Sequence, residues 1–291
     1  MPNAFELIES SRSELEQADL FYGHGTATAG DDAIFLVLHA LGLGYDAPNE
    51  VLETDAQANQ IRALNDLLAK RIEQRIPSAY LTNKMWFAGL EFYVDPRVLI
   101  PRSPLAELIE NRFLPFAASM NVRRILEIGT GSGCIALALA HYFPQANVVA
   151  TDISPDALEV AAVNLKRYPQ FCERVQFEQC DLFPAERTMF DLIVTNPPYV
   201  PTEVVVDLPA EYRAEPNLAL EAGTDGLSLI NKIFKQSAEA LSEGGLIFFD
   251  VGDRWALLEQ TYPKMPFFWC ELSRGGEGVG MLEKHALSKF E

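Results

Sequence analysis

Positive charge is what this sequence has least of: 23 Lys plus Arg stand against 41 Asp plus Glu in 291 residues, a formal net charge of −18. Duplex nucleic-acid binding draws much of its affinity from Lys and Arg on phosphates. The shortage therefore disfavours a phosphate surface as partner and favours a basic one. Cysteine is scarce too. Cys134, Cys172, Cys180 and Cys270 form no CxxC pair and have no His at ligand spacing, so neither a metal nor a disulfide framework is expected, and reduced thiols in a cytoplasmic protein are. Long apolar runs are missing: Ala33 to Leu43, the longest, carries His39 in its middle and falls far short of the ~20 residues that span a bilayer. No membrane association is expected. Met1 to Ser10 is acidic, without the basic patch and apolar stretch of a secretory signal.

What is present suffices for a core. With 48% apolar and 10% aromatic residues, wholesale disorder is excluded, and the length admits one large domain or two ordinary ones. Residues 1–82 read as a helical domain that packs on or recognises something else. Asp31 and Asp32 precede the apolar run Ile34, Leu36, Val37, Leu38, Leu41, which Gly42 and Gly44 close; Thr54 and Gln57 have capping-box spacing ahead of Ile61, Leu64, Leu67, Leu68 and Ile72, until Pro77. Residues 83–98 form a linker, in which Lys84 to Val94 reads as a β-hairpin about Ala88-Gly89. In residues 99–291, Ser103 and Pro104 open a helix that runs to about Phe113. Strands then alternate with helices: strands at 125–128, 148–151, 175–179, 191–195 and 246–251, helices at 134–142, 155–167, 225–241 and 254–260, and final strands at 267–271 and 280–283. That order predicts an α/β fold with a doubly wound, mostly parallel sheet and an antiparallel C-terminal edge. Ligands of such sheets sit at the carboxyl ends of the strands.

The residues at those ends carry chemistry. After the first strand comes Glu127-Ile-Gly-Thr-Gly-Ser-Gly133, where Gly129, Gly131 and Gly133 permit a tight turn and close approach of a ligand to the backbone. A dehydrogenase fingerprint wants Gly or Ala at position 134, where this chain has Cys. Asp152, nineteen residues past Gly133, ends the second strand and can accept both hydroxyls of an adenosine ribose; capping the helix after Pro155 is its other possible role, for which Ser154 stands closer. Asp181-Leu182-Phe183 follows the third strand, beside the adenine end or as a surface turn. The fourth ends in Thr195-Asn-Pro-Pro-Tyr199. Two prolines fix the backbone and leave carbonyls free, Asn196 adds an acceptor, and Tyr199 an aromatic face. Such a loop suits a planar group bearing NH2. With no His, Lys or Cys beside it, a covalent enzyme intermediate is not expected. An adenosine site beside an NH2-gripping loop implies methyl transfer from S-adenosylmethionine. Asn196, Pro197 and Tyr199 are the expected catalytic group.

The GxGxG turn, Asp152 and NPPY together resemble a class I S-adenosylmethionine-dependent methyltransferase acting on nitrogen. Ile100-Pro-Arg-Ser-Pro104, Asn196-Pro-Pro-Tyr-Val200, Glu211-Tyr-Arg-Ala-Glu-Pro216 and Gly275-Gly-Glu-Gly-Val279, in that order after a helical domain and a hairpin, resemble the HemK-like protein-(glutamine-N5) methyltransferases. Release-factor enzymes of that group usually carry Pro-Asp-Thr after Ile-Pro-Arg. Ser103-Pro104 stands here instead, so the chain resembles the branch that methylates ribosomal protein L-three. The resemblance implies cofactor contacts at Gly129, Thr130, Gly131, Ser132, Gly133, Asp152, Ile153, Asp181, Leu182 and Asn196, with Glu127 near the methionine ammonium. Asn196, Pro197, Pro198 and Tyr199 are implied to hold the glutamine. A release-factor enzyme is the alternative, and an adenine-N6 nucleic-acid methyltransferase a more distant one that the charge opposes; a noncatalytic adenosine-binding module has no use for NPPY. The stretch from Glu203 to Glu221, five acids against Arg213, reads either as a solvated loop or as a collar for a basic protein.

Overall fold

The computed structural model describes residues 1–186 and 188–288. The chain begins with five helices: α1 (Ala4–Glu16), α2 (Ala29–Leu41), α3 (Asn49–Leu52), α4 (Ala58–Glu73) and α5 (Ser78–Thr82). Leu7, Leu15, Ala33, Leu36, Val37, Leu64 and Leu68 share one buried cluster, set by apolar residues at helical spacing. The caps lie elsewhere than the sequence suggested. Thr28 starts α2, with Asp31 reciprocating as its third residue, while Asp32 is fully buried. At α4 the cap is Gln57, whose N–H donates to Gln60 Oε1 at 2.8 Å; Thr54 lies a turn too early and donates to the Glu50 carbonyl.

Strands β1 (Met85–Phe87) and β2 (Leu90–Phe92) pair antiparallel about Ala88-Gly89, whose φ values of +46° and +77° match a primed turn. Helix α6 (Leu105–Glu110) stops short of Phe113, because Arg112 and Phe113 turn left-handed at +51° and +53°. Ser103 Oγ does accept from the Leu105 N–H at 3.2 Å.

The main sheet comprises β3 (Arg124–Ile128), β4 (Asn147–Asp152), β5 (Val175–Gln179), β6 (Phe190–Thr195), β7 (Leu241–Asp250), β8 (Phe268–Trp269) and β9 (Val279–Glu283), in the order β5-β4-β3-β6-β7-β9-β8. Its first five strands are parallel, and β9 runs antiparallel to β7 and β8. Apolar residues on both sides of the inner strands β3, β6 and β7 keep them buried, while the edge strands β5 and β8 are partly exposed. Ile125, Leu192, Val194 and Phe248 face one layer with α7 (Cys134–Tyr142). Leu126, Ile128, Ile193, Ile247 and Phe249 face the other, with α10 (Ser228–Ala240) and α12 (Lys284–Leu287); α8 (Pro155–Arg167), α9 (Thr202–Val205) and α11 (Trp255–Thr261) complete the chain. Strand β7 begins at Leu241, five residues before the expected start. From β3 the chain winds out to β5 and then returns to place β6 on the other side of β3, so the topological switch falls between β3 and β6. Among the described residues no helix is long and apolar enough to cross a membrane.

Candidate active site

The switch point brings the two loops singled out by sequence together. Ile128 pairs with Thr195, and Thr195 Oγ1 donates to the Ile128 carbonyl at 2.9 Å, so Gly129 and Asn196 leave adjacent strand tips. The glycine turn bends because Gly129, Gly131 and Gly133 have φ of +77°, +53° and +80°. A Cβ on Gly133 would stand 3.1 Å from Ala161 Cβ and 3.2 Å from the Phe177 ring, whereas one on Gly131 would meet nothing within 4 Å. Gly133 thus lets α7 approach α8, and Gly131 borders open space.

That space is a cavity of about 220 Å³. Gly129, Thr130, Gly131, Ser132, Asp152, Ile153, Asp181, Leu182, Asn196, Pro197 and Pro198 all line it. Glu127, Gly133 and Tyr199 do not. Glu127 lies behind the wall, joined to it by the Thr130 hydroxyl, which donates to Oε2 at 2.6 Å. Tyr199 is held against Gly252 in the loop after β7, where a Cβ would come within 2.7 Å of the tyrosine Cε2, and, contrary to the expectation from sequence, does not line the cavity. The wall also takes in Phe87 of β1, Arg102, Ser103, Pro216 and Leu218. The sequence reading placed none of these in the site, although Arg102, Ser103 and Pro216 belong to IPRSP and EYRAEP, the motifs that were its signal.

Three carboxylates shape the electrostatics. Asp152 accepts from the Gly131 N–H at 2.8 Å and the Ser154 N–H at 2.9 Å, and burial nonetheless pushes its pKa up. Ser154 Oγ accepts from Ala157 N and caps α8, so Asp152 is free of that duty. Glu127 is 1% exposed; burial, with the Asp152 charge adding to it, pushes its carboxyl up to about 8 against the Thr130 hydrogen bond. Glu127 Oε1 is buried without a hydrogen-bond partner among the described residues, and so is Asn196 Oδ1. Such orphaned acceptors are costly, and they fit a ligand that brings a cation to one and N–H groups to the other. Asp250, at the end of β7, is raised by burial to about 6 and accepts from Ser103 Oγ at 2.7 Å.

The acidic stretch is not a collar. Glu211 and Glu215 are buried, and each is bound by arginine: Arg71 Nη1 lies 3.2 Å from Glu211 Oε1, and Arg102 lies 2.5 Å from Glu215 Oε1. Arg71 also pairs with Asp32 at 2.7 Å and donates to the Phe21 carbonyl. A buried charge needs a partner, so these acids tie the N-terminal helices and residues 100–102 to the loop after β6. Glu221 accepts from Thr202 Oγ1, leaving Glu203 and Asp207 as the exposed acids without such a bond.

A methyltransferase-domain family model matches residues 126–197, from β3 through Pro197. The catalytic domain of hMettl16, solved in complex with MAT2A 3′UTR hairpin 6, superposes with a TM-score of 0.51 at 17% identity, covering 77% of this chain and 80% of that one; the likeness is one of fold, the class I methyltransferase architecture. Over 288 residues the chain is 38% identical to the ribosomal protein uL3 glutamine methyltransferase of Francisella tularensis, covering 98% of this chain and 91% of that protein. Over 283 residues it is 38% identical to the enzyme of the same name from Neisseria gonorrhoeae, covering 97% and 94%. Identity sustained over nearly the whole of both chains shows that this protein belongs to the uL3 glutamine methyltransferase family.

Proposed function

We propose that the protein transfers a methyl group from S-adenosylmethionine to the side-chain amide nitrogen of a glutamine in ribosomal protein uL3. The observation that carries this reading is the pair of buried acceptors without a partner among the described residues, Asn196 Oδ1 in the cavity wall just after β6 and Glu127 Oε1 on the adjacent β3, one residue layer behind that wall at Thr130. Glu127 would receive the methionine ammonium, and Asp152 the ribose hydroxyls. Ile153, Asp181 and Leu182 would flank the adenine, while Gly129 to Gly133 supply a turn with room for the ligand. Bound there, S-adenosylmethionine supplies an electrophilic methyl carbon on a sulfonium.

The residues of the chain do the positioning. An amide nitrogen is a poor nucleophile because its lone pair is delocalised, so orientation is the main task. Asn196 Oδ1 and the Pro197 carbonyl accept the two amide N–H groups, and these bonds strengthen as the nitrogen becomes positive. Pro198 completes the rigid wall, and Tyr199, packed on Gly252, anchors that wall from behind. Residues 1–82 would recognise the substrate, residues 83–98 link, and residues 99–291 catalyse, in the cytoplasm where ribosomal proteins are made.

The test is to incubate the protein with methyl-labelled S-adenosylmethionine and, in turn, uL3, a release factor, duplex DNA and ribosomal RNA. Label is expected in uL3, released as methylamine on acid hydrolysis. Label confined to the release factor or to nucleic acid overturns the assignment.

A further inference from the structure

A second concavity, of about 420 Å³, lies between α2, the loop after it and β1, and is lined by Asp31, Ile34, Phe35, Tyr45, Met85 and Trp86, among others. Three of these residues form an aromatic box. The Tyr45 and Trp86 ring centroids are 4.9 Å apart at 83°, Phe35 and Trp86 5.6 Å apart at 78°, and Phe35 and Tyr45 6.0 Å apart at 48°. Phe35 is buried as the floor, while Tyr45 is 55% and Trp86 36% exposed. Phe35 is a buried apolar residue, but none of the three rings joins one of the four buried clusters among the described residues; they form a separate aromatic group that stays open to solvent at Tyr45 and Trp86.

The charge beside the box is negative. Asp31 serves the α2 cap through Oδ2, which accepts from Ala27 N, Thr28 N and Thr28 Oγ1; those bonds all leave Oδ1 aside. Lys84, next to Met85, is paired with Glu91 at 3.7 Å. Aromatic faces attract a cation within about 6 Å of the ring centre, the more so beside a carboxylate. The same short strand that carries Trp86 also carries Phe87, which turns to the opposite face of the strand and lines the methyl-transfer cavity, so β1 separates the two sites by a single strand.

We propose that this box binds a cationic side chain, arginine or lysine, of the protein substrate. The inference rests on the uL3 reading. A ribosomal protein must neutralise RNA phosphates and is rich in such side chains, and a net charge of −18 draws it toward this enzyme.

The experiment is steady-state methylation of purified uL3 by the full-length protein and by Tyr45→Leu/Trp86→Leu, with folding checked by circular dichroism. The variant should show KM for uL3 raised about tenfold, with kcat and the KM for S-adenosylmethionine within about twofold of wild type. Phe at both positions should recover most of the loss. N-acetyl-arginine amide at millimolar concentration should compete with uL3 on wild type and not on the double-leucine variant. An unchanged KM in the folded variant, or competition that survives it, overturns the box while uL3 methylation stands. Absence of methyl transfer to uL3 by wild type overturns the substrate and the box together. Should the double variant fail to fold, Tyr45→Leu alone, in a residue more than half exposed, carries the same readouts.

Discussion

Arg102 and Glu215, 113 positions apart in the chain, meet as a bidentate pair, Nη1 to Oε1 at 2.5 Å and Nη2 to Oε2 at 2.8 Å. The Ile100 N–H adds a third bond at 3.0 Å. Burial would raise the Glu215 carboxyl, but its hydrogen bonds and the Arg102 charge outweigh burial and hold it at about 2. His24, whose Nε2 stands 3.5 Å from Oε2, and Arg102 both act to lower it. Arg102 and Pro216 both line the cavity, which makes the pair a brace between two of its walls.

Glu215→Gln leaves Arg102 without its counter-charge, and the expected loss of stability is about 3 kcal/mol at pH 7. The folded-state pKa lies below the ordinary glutamate value of about 4.3. The pair's contribution is therefore fully present above that value and is lost as pH falls toward 2. Urea melts of wild type and variant should differ most at neutral pH and converge under acid. A gap that persists at low pH would mean that Glu215 stabilises by packing and not by charge.

Asn196→Ala removes the side-chain acceptor proposed to hold the substrate amide, Oδ1, which is buried without a partner among the described residues. Loss of an interaction that strengthens in the transition state costs on the order of 10²-fold in kcat. Binding of S-adenosylmethionine should change far less, because the glycine turn, Asp152 and Glu127 remain. Near-normal turnover in a folded variant removes Asn196 from the catalytic role.

Much of this site could be read from local spacing. The GxGxG turn, Asp152 and NPPY each lie at the end of a strand whose apolar run marks it, and the βα alternation says which ends share an edge. The brace could not be read that way: Arg71 with Glu211 and Arg102 with Glu215 join positions 140 and 113 apart, and charge pairing leaves no periodic signature. Glu211 and Glu215 therefore read, from sequence, only as part of a solvated loop or of a collar for a basic protein. The packing of Tyr199 is hidden for a related reason: its ring lies against Gly252, in a loop after β7 that only the folded sheet brings near.

Asp152→Ala should chiefly weaken the cofactor, by about tenfold to a hundredfold in Kd, the range expected for hydrogen bonds to a charged acceptor. Ser154 still caps α8 in this variant, so the helix and fold should persist. Calorimetry with S-adenosylmethionine measures the change directly, and an unchanged affinity would take Asp152 out of the site.

Glu127→Gln separates charge from shape at the buried end of the site. In the ligand-free protein burial raises the Glu127 carboxyl to about 8, above the ordinary value of about 4.3. The folded state then holds a proton that the unfolded chain has released, so this group makes stability fall as pH rises across that window. Glutamine cannot ionise, and the variant should gain on wild type in thermal melts between about pH 5 and 8. Cofactor binding should run the other way. On the proposed reading only ionised Glu127 pairs with the methionine ammonium, so wild-type affinity should increase from pH 6 to about 8, where an α-amino group itself begins to lose its proton. The variant should bind more weakly and with a flat profile. Parallel pH curves for the two proteins would show that Glu127 does not meet the ammonium.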